Sequence, residues 1–382
     1  MTVAAIDTDV VIVGAGPAGS ALAIMLGQAG VKAVLLDRSR FPRDKTCGEG
    51  LMPAGVKVLE ALEVPLAQFP ALRGVTYRVP RAGSASGEFM DGKTGRGVRR
   101  LEFDRLLAER AAAARNVEAH YGCKALGIEL QPSHIEVKTI DGTLTARFAV
   151  GADGVRSRVA RWVGWSRPPR PPHRYALVGH VESPAHGADR VLVTLLDGCE
   201  VYTAPTGPDE LLVAVLGSKS GLRADGEPVR DAYARHVCAA HRDVRIPADA
   251  AIHGAGPFWV RPATVAERRV ALIGDAAGFL DPLTGDGMSD ALVAARKLAQ
   301  LLASDVPDPL RAYRRWEAGQ WRRRVFVNRL ALTLTGSSLL ARRALRRLRQ
   351  RPSTLNRLLE VNDGTRSLWS LSLRDWSTLA GV

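Results

Sequence analysis

Hydrophobic positions near the start of the chain form short runs separated by a helical stretch. Residues 10–13 are a β-branched run bounded by Gly14, a pattern typical of a strand buried in a parallel sheet. Good helix formers fill residues 18–30, and residues 31–36 form a second apolar run that finishes at Asp37. The pattern predicts a strand, a helix and a second strand, in that order.

The next part of the chain is predicted to hold a loop, two helices and five strands. These are the loop at 41–53, helices near 54–62 and at 103–115, and strands at 74–79, 87–90, 125–130, 135–139 and 144–150. The pair Asp141-Gly142 between the last two strands favours a hairpin turn. Residues 125–150 are therefore predicted to form an antiparallel meander that closes on the turn at 151–154.

A second set of strands follows a proline-rich connector at 168–172. Four alternating segments predict a second sheet, at 175–182, 190–196, 200–204 and 211–216. A further buried strand is expected at 270–273, and a helix at 289–302 with its N-cap within 287–289. After Pro309 only helices are expected. The predicted architecture is a discontinuous nucleotide domain, interrupted by a β-rich domain and completed by a helical tail.

Length and charge refine this outline. A chain of 382 residues exceeds the size at which one hydrophobic core stops growing, which favours two domains. The net charge is +14, and +12 of it arises between Arg296 and Arg351, where 15 basic residues accompany three acidic ones. An arginine-rich coding bias explains this charge as readily as a binding surface does.

Within the basic region, one segment has the pattern of an amphipathic helix. Apolar and basic positions alternate at near-helical spacing: Leu340, Ala344, Leu345 and Leu348 against Arg342, Arg343, Arg346, Arg347 and Arg349. The apolar stripe either docks on the nucleotide domain or faces lipid at the inner membrane face. Weak peripheral membrane contact is thus an alternative to plain docking. Since no recognised nucleic-acid-binding fold accompanies the charge, we expect no nucleic-acid partner.

The sequence also argues against a membrane-spanning protein, an exported protein and a metal-binding protein. Residues 10–27 are apolar enough to suggest a membrane span but contain four glycines and a proline, so we reject that reading. Residues 1–8 carry one acid, Asp7, and no basic residue, unlike an export signal, and we expect a cytoplasmic protein. The four cysteines form no C-x-x-C pair and the eight histidines no metal-binding spacing, so we expect reduced thiols and no metal site.

The first motif that carries chemistry is Gly14-x-Gly16-x-x-Gly19, between the first predicted strand and helix. Three glycines at this spacing permit a tight turn, close approach of a pyrophosphate and close packing of strand against helix. Asp37 ends the next strand, where its carboxylate can accept hydrogen bonds from ribose hydroxyls. These residues predict a dinucleotide site without deciding between FAD and NAD.

Two later motifs decide between FAD and NAD as the cofactor. Gly151-Ala-Asp153-Gly-Val-Arg156-Ser157 and Gly274-Asp275-Ala-Ala each follow a predicted strand. With the first motif, they resemble the FAD proteins of the glutathione reductase type, and among these the superfamily of p-hydroxybenzoate hydroxylase and geranylgeranyl reductase, over roughly residues 8–305. The resemblance implies an α/β fold: a Rossmann-like FAD-binding domain, an inserted, mostly antiparallel β-sheet substrate domain and a helical C-terminal tail.

The domain limits expected from this resemblance are 1–75, 98–165 and 259–305 for the FAD-binding domain. The β-rich domain would comprise 76–97 and 172–258, and the helical region 306–382.

The resemblance also implies roles for residues that hold the cofactor. In the family, the aspartate matched by Asp275 contacts the ribityl chain of the flavin, and the loop matched by Gly285, Asp286 and Gly287 leads into a helix beside the isoalloxazine ring. Asp153 would support FAD and transient NAD(P)H binding or serve only to shape its turn. Arg100 would reach the FAD phosphates, unless Arg99 does so or the arginine is a surface residue.

Lys45-Thr-Cys47-Gly48-Glu49-Gly50 is similar to a loop of the geranylgeranyl reductase branch that passes near flavin and substrate. Arg43 and Lys45 would supply positive charge there, and Cys47 has either a packing or a catalytic role. No side chain is identified as catalytic, since the flavin itself carries the chemistry.

Two reactions are compatible with these motifs. The favoured one is NAD(P)H-dependent hydroxylation of an aromatic or lipophilic small molecule, because that outcome is commoner in the broad superfamily. The alternative is reduction of a carbon–carbon double bond, as in the geranylgeranyl reductases. A non-catalytic flavin-binding protein is a third, minor alternative.

Overall fold

A mainly parallel sheet, the first sheet, organises the nucleotide-binding part of the computed structural model, which describes residues 6–183, 188–241 and 243–381. Part of the segment weighed as an export signal, residues 1–5, lies outside these ranges. The strands of the first sheet run in the order Ala266–Glu267, Val270–Leu272, Gly142–Gly151, Thr8–Val13, Ala33–Asp37 and Val117–Tyr121. Ile135–Thr139 and Ala125–Leu130 extend antiparallel from Gly142–Gly151, as the meander prediction requires.

The register of the first sheet aligns the ends of its central strands. Val13 pairs with both Leu36 and Gly151, and Gly151 pairs in turn with Leu272. Because the strands are parallel, the turns that follow them emerge at one edge. Three motifs that are distant in sequence thus meet.

The second sheet has seven strands and is antiparallel except for one pair. Its order is His253–Ala255, Tyr175–Glu182, Glu210–Gly217, Cys199–Pro205, Arg190–Leu196, Gly74–Val79 and Gly83–Glu88. Arg190–Leu196 and Gly74–Val79 form the parallel pair. A small third sheet consists of Gly50–Leu51, Gly95–Gly97 and Ala71–Leu72, paired antiparallel.

Eleven α-helices occur in the described ranges. They are α1 Pro17–Gln28, α2 Pro53–Glu60, α3 Arg100–Ala112, α4 Arg158–Trp162, α5 Lys219–Leu222, α6 Val229–Ala240, α7 Gly287–Leu302, α8 Pro309–Thr335, α9 Ser338–Gln350, α10 Pro352–Asn362 and α11 Leu373–Ala380. Short 3-10 helices occupy Gly274–Ala277, Pro282–Thr284 and Leu368–Ser370. None of these helices is both long and apolar enough to cross a membrane.

The structure departs from the predicted elements at a few places. Helix α6 and the strand Val117–Tyr121 have no predicted counterpart, since both mix charged with apolar residues over a short span. Helix α7 begins at Gly287 with Asp286 as its N-cap, ahead of the predicted 287–289 cap. The segment predicted as a strand at 87–90 is a strand at Gly83–Glu88.

The apolar stripe of α9 is buried against the second sheet. Ala341, Leu345 and Leu348 join one cluster with Val79 and Ala85. Neither expected position for this stripe, on the nucleotide domain or facing lipid, is correct. The prediction went wrong because the spacing identifies an apolar face but not its partner.

Candidate functional site

The glycine motif and the turn at Ala152 touch at the carboxyl edge of the first sheet. A Cβ placed on Gly14 would lie 2.5 Å from the carbonyl oxygen of Ala152, and one on Gly19 would overlap the carbonyl oxygen of Gly14. Gly14 has a φ of 108°, a conformation that favours glycine. The first and third glycines therefore serve close backbone packing, as the motif predicts.

A cavity of about 2000 Å³, including open solvent at its mouth, adjoins this edge. We call it the edge cavity. Of the predicted site residues, Gly16, Lys45, Cys47, Arg100 and Asp275 line it, together with the segment Gly285, Asp286 and Gly287. The structure thus brings together residues from four separate parts of the sequence.

Asp37 lies at the end of its strand with both carboxylate oxygens engaged by local backbone. Its Oδ2 accepts a hydrogen bond from the Ala15 amide over 2.8 Å, and Oδ1 accepts one from the Ser39 amide over 2.8 Å. The guanidinium of Arg43 lies 3.5 Å away. Asp37 is therefore fixed against the glycine turn, close to where the predicted ribose would lie.

A group of charges connects α3 to the glycine turn. Arg100 forms two hydrogen bonds of 2.7 Å with the buried carboxylate of Asp104, which also accepts a bond of 3.1 Å from Arg43. Burial lowers the pKa of Lys45, and the neighbouring Arg100 lowers it further. Positive charge concentrated beside a helix N-terminus suits an anionic ligand.

Arg99, the alternative to Arg100, has different partners. It contacts Asp44 and Glu49 and lies 2.9 Å from the Nε2 atom of His180. Only Arg100 of the two lines the edge cavity, and the phosphate role stays a prediction.

Asp153 acts on the protein backbone. Its Oδ2 accepts hydrogen bonds from the amides of Arg158 and Val159 over 2.6 and 3.2 Å, at the start of α4. Its Oδ1 is buried and has no partner in the described part of the chain. This geometry matches the turn-shaping alternative, and the cofactor role of Asp153 stays a prediction.

The loop around Cys47 is held by a buried glutamate that the sequence did not single out. Glu49 adopts a φ of 55° and accepts hydrogen bonds of 2.8 Å from the Arg100 amide and from Nε2 of His180. Burial raises the pKa of the Cys47 thiol, and Arg100 opposes this rise. The thiol is therefore protonated near neutral pH.

Residues 281–287, which we call the Pro282 loop, lead into α7. Gly285 has a left-handed φ of 69°, and the N-cap Asp286 makes no side-chain bond to the helix start. Burial, followed by the charge of Asp290, raises the pKa of Asp286 to about 6. The first amides of α7 are thus free to face a ligand with negative charge.

The edge cavity fits FAD on three observations. A Cβ on Gly16 would have no protein atom nearer than 3.8 Å, so this glycine leaves room for a ligand. Helix α1 begins without a side-chain cap. The Asp275 carboxylate lines the cavity and makes no hydrogen bond to any residue in the described ranges. A polar, elongated nucleotide would satisfy all three.

Comparison with known families agrees with this geometry. The model of the FAD binding domain family matches residues 7–317. The chain belongs to this family. It is therefore an FAD-dependent oxidoreductase, as the motifs predicted, and the resemblance stated from them is confirmed.

Individual relatives divide between two reactions. The chain is 30% identical to the menaquinone reductase of Mycobacterium tuberculosis, over 86% of this chain and 84% of the relative. It is 27% identical to the digeranylgeranylglycerophospholipid reductase of Methanosarcina acetivorans, over 75% and 73%. It is also 27% identical to the rifampicin monooxygenase of Streptomyces venezuelae, over 78% and 64%.

A solved structure supports the fold. The flavoprotein/dehydrogenase from Cytophaga hutchinsonii superposes with a TM-score of 0.78, at 19% identity, over 95% of this chain and 94% of the other. The predicted fold class, including the helical C-terminal region, is confirmed.

A second cavity adjoins the edge cavity and had no signal in the sequence. It measures about 1010 Å³ including open solvent, and its walls are mainly apolar, from the second sheet on one side and α8 to α11 on the other. We call it the apolar cavity. Tyr202 and Gly285 line both cavities.

Tyr202 is 3% exposed, and its hydroxyl has no hydrogen-bond partner in the described ranges. Its ring packs over Gly48 and Gly285. Burial raises its pKa, so the phenol stays protonated. Tyr202 therefore presents an unpaired hydroxyl at the junction of the two cavities.

Proposed function

We propose that the protein is an FAD-dependent reductase of a carbon–carbon double bond in a lipid with a long aliphatic or isoprenoid chain. The observation that carries this proposal is the apolar cavity, which meets the edge cavity at Tyr202 and Gly285. A substrate that occupied both would have an apolar chain beside the flavin.

The walls of the apolar cavity suit such a chain. Leu334, Leu345 and Leu359 face Val193 and Leu195 of the second sheet across it. Burying apolar surface contributes about 25 cal/mol per Å², and a methylene about 0.8 kcal/mol, so each added isoprene unit would strengthen binding. A small polar substrate would leave this surface unused.

The chain's own residues would bind and orient both partners. Gly16 and α1 would receive the pyrophosphate, with Arg100 and Lys45 near it, and Asp275 would accept hydrogen bonds from the ribityl hydroxyls. The start of α7 would face the pyrimidine side of the ring. When bound and reduced by NADH or NADPH, FAD supplies the hydride.

The names of two relatives agree with this proposal. Menaquinone reductase and digeranylgeranylglycerophospholipid reductase are both named for reduction of a lipid. We therefore place reduction ahead of hydroxylation, the reverse of the order that the sequence favoured.

Hydroxylation is the second candidate, and one observation favours it. Ala176 and Ala214 of the second sheet line the edge cavity, and their small side chains leave space for a compact substrate. The name of the rifampicin monooxygenase relative agrees with hydroxylation.

The deciding experiment analyses the products of anaerobic and aerobic turnover. The FAD-loaded protein is supplied with NADH or NADPH and one of three substrates: menaquinone, a geranylgeranyl lipid or a compact aromatic compound. The masses of the products are then measured by mass spectrometry. We expect a lipid that gains two hydrogen atoms in its aliphatic or isoprenoid chain, and not by conversion of a quinone to the quinol, under both atmospheres. A product that gains one oxygen atom, formed only in air, would overturn the proposal in favour of hydroxylation.

A further inference from the structure

The most exposed large apolar side chains in the described ranges lie close together near the C-terminus. Trp369 is 92% exposed and Leu373 is 87% exposed. Leu373 is the first residue of α11, and Trp369 belongs to the 3-10 helix just before it. Tryptophan is enriched at membrane–water interfaces, where its ring bridges apolar and polar surroundings.

Helix α9 lies beside this segment and carries unpaired positive charge. Arg342, Arg343, Arg346, Arg347 and Arg349 are all exposed, and none forms a salt bridge within the described part of the chain. Helix α9 contains no acidic residue. The nearby acids, Glu360 and Asp375, are already paired with Arg366 and Arg357.

The two helices form one layer over the apolar cavity. Leu345 and Leu348 of α9 and Leu379 of α11 belong to one buried cluster and line the cavity. A Cβ on Gly381, just after α11, would touch Arg343. Because both helices turn their buried side chains onto the cavity, their exposed side chains lie on the outer side of the same layer.

We propose that this outer side, the α9–α11 face, docks on an anionic lipid bilayer. The arginines would contact acidic headgroups, and Trp369 and Leu373 would enter the interfacial region. Charge and exposed apolar residues together distinguish this surface from a merely solvated basic helix. The apolar stripe of α9, one of whose predicted positions faced lipid, is buried in the protein. The apolar side chains that would enter the bilayer are instead Trp369 and Leu373, on the adjacent segment.

Docking of this face on a bilayer would also bring the apolar cavity close to a source of lipid. Its wall is the inner side of the layer that would rest on the bilayer, so a lipid chain that entered between α9 and α11 would reach it. This part rests on the proposed function. The docking itself does not.

Binding is tested by flotation of the full-length FAD-loaded protein with vesicles of phosphatidylcholine alone or mixed with phosphatidylglycerol. We expect binding to the anionic vesicles at low salt and release at high salt. Two variants probe the face: Trp369→Ser with Leu373→Ser, and Arg342→Gln, Arg343→Gln, Arg346→Gln and Arg347→Gln combined. Each should weaken binding by roughly tenfold or more, since several contacts are lost.

A matched control changes four exposed arginines outside the C-terminal region: Arg38→Gln, Arg161→Gln, Arg167→Gln and Arg223→Gln. It removes the same charge and should retain most binding. Absence of low-salt binding, unchanged binding by both face variants, or an equal loss in the control would overturn the proposal. Vesicle binding without double-bond reduction would instead overturn the proposed function alone.

Discussion

The side-chain amide of Asn362 donates a hydrogen bond to the carbonyl oxygen of Thr284 over 3.1 Å. Asn362 is the last residue of α10, and Thr284 precedes Gly285 in the Pro282 loop. The C-terminal helices therefore hold the loop that both cavities share. The contact joins residues 78 positions apart in sequence.

Replacing Asn362 with alanine should loosen the Pro282 loop. A buried neutral hydrogen bond contributes about 1 kcal/mol, and the Thr284 carbonyl would be left without this donor. We expect a modest fall in unfolding free energy together with a change in flavin absorbance or fluorescence. Asn356→Ala is the control, because Asn356 on the same helix accepts a 2.8 Å bond from the Glu88 amide, far from the loop in sequence. Equal spectral effects in both variants would contradict the link.

Two glycine substitutions should separate folding from cofactor binding. In Gly19→Ala the new Cβ overlaps the Gly14 carbonyl oxygen, which should destabilise the fold by about 1 to 3 kcal/mol or more. In Gly16→Ala the nearest protein atom is 3.8 Å away, so the protein should fold normally yet lose FAD affinity. Thermal unfolding of the apoprotein and FAD titration measure the two effects. Full FAD affinity in folded Gly16→Ala would show that the pyrophosphate lies elsewhere.

Asp275→Ala should reduce FAD retention more than Cys47→Ala does. A charge-assisted hydrogen bond contributes about 1.5 to 3 kcal/mol, and the Asp275 carboxylate is available for one. The Cys47 thiol is half-buried and protonated, and it accepts a weak 3.4 Å bond from the Glu49 amide. FAD content after gel filtration checks the ranking. Two folded variants with the same content and reduction rate would refute it.

Tyr202→Phe should leave the protein as stable as before, or stabilise it. The buried hydroxyl lacks a partner in the described ranges, so its removal relieves a desolvation penalty of about 1 to 3 kcal/mol. Tyr202→Ala, in contrast, should join the two cavities and destabilise the fold by about 3 to 5 kcal/mol. Chemical unfolding compares the variants. A marked loss of stability in Tyr202→Phe would mean that the hydroxyl is bonded after all.

Stability should depend on pH through Asp363. Burial raises its pKa to about 6, the amide of Ala54 opposes the rise, and Asp290 adds to it. The unfolded carboxyl titrates near pH 4, so the folded state retains the proton longer, and stability falls as pH rises from about 4 to 6.

Asp363→Asn removes that loss and should stabilise the apoprotein at pH 7, on the order of 1 to 3 kcal/mol. Asp286 titrates in the same range, so part of the slope should persist. Guanidinium unfolding between pH 4 and 7 gives the measurement, with the exposed Asp305→Asn as control. Parallel pH curves for wild type and Asp363→Asn would contradict the assignment.

The sequence revealed the edge cavity because the residues that shape the turn beside it obey backbone rules. Gly14, Gly19 and Asp37 occupy positions that the turn between strand and helix dictates, and the strands Thr8–Val13 and Ala33–Asp37 bring them together. Such constraints act over a few residues and leave a readable spacing. The same holds for the meander around Asp141-Gly142.

The apolar cavity and its boundary left no such pattern. Tyr202 reads as an ordinary strand residue, and nothing near Asn362 indicates that it reaches Thr284. Leu345 shows helical spacing, but spacing does not specify that its partners are Val79 and Ala85 of the second sheet. Contacts between distant segments depend on how the layers assemble, which local patterns do not encode.

The boundary of the family match falls inside α8, at residue 317, and every α-helical side chain in the wall of the apolar cavity comes after it. The helical wall of the apolar cavity thus follows the matched segment in the chain, whereas the opposite wall, from the second sheet, lies within that segment. Changes confined to residues 318–382 would reshape that helical wall and leave the glycine motif and the first sheet unaltered. Exchanging residues 318–382 between relatives would be a natural way to engineer the enzyme.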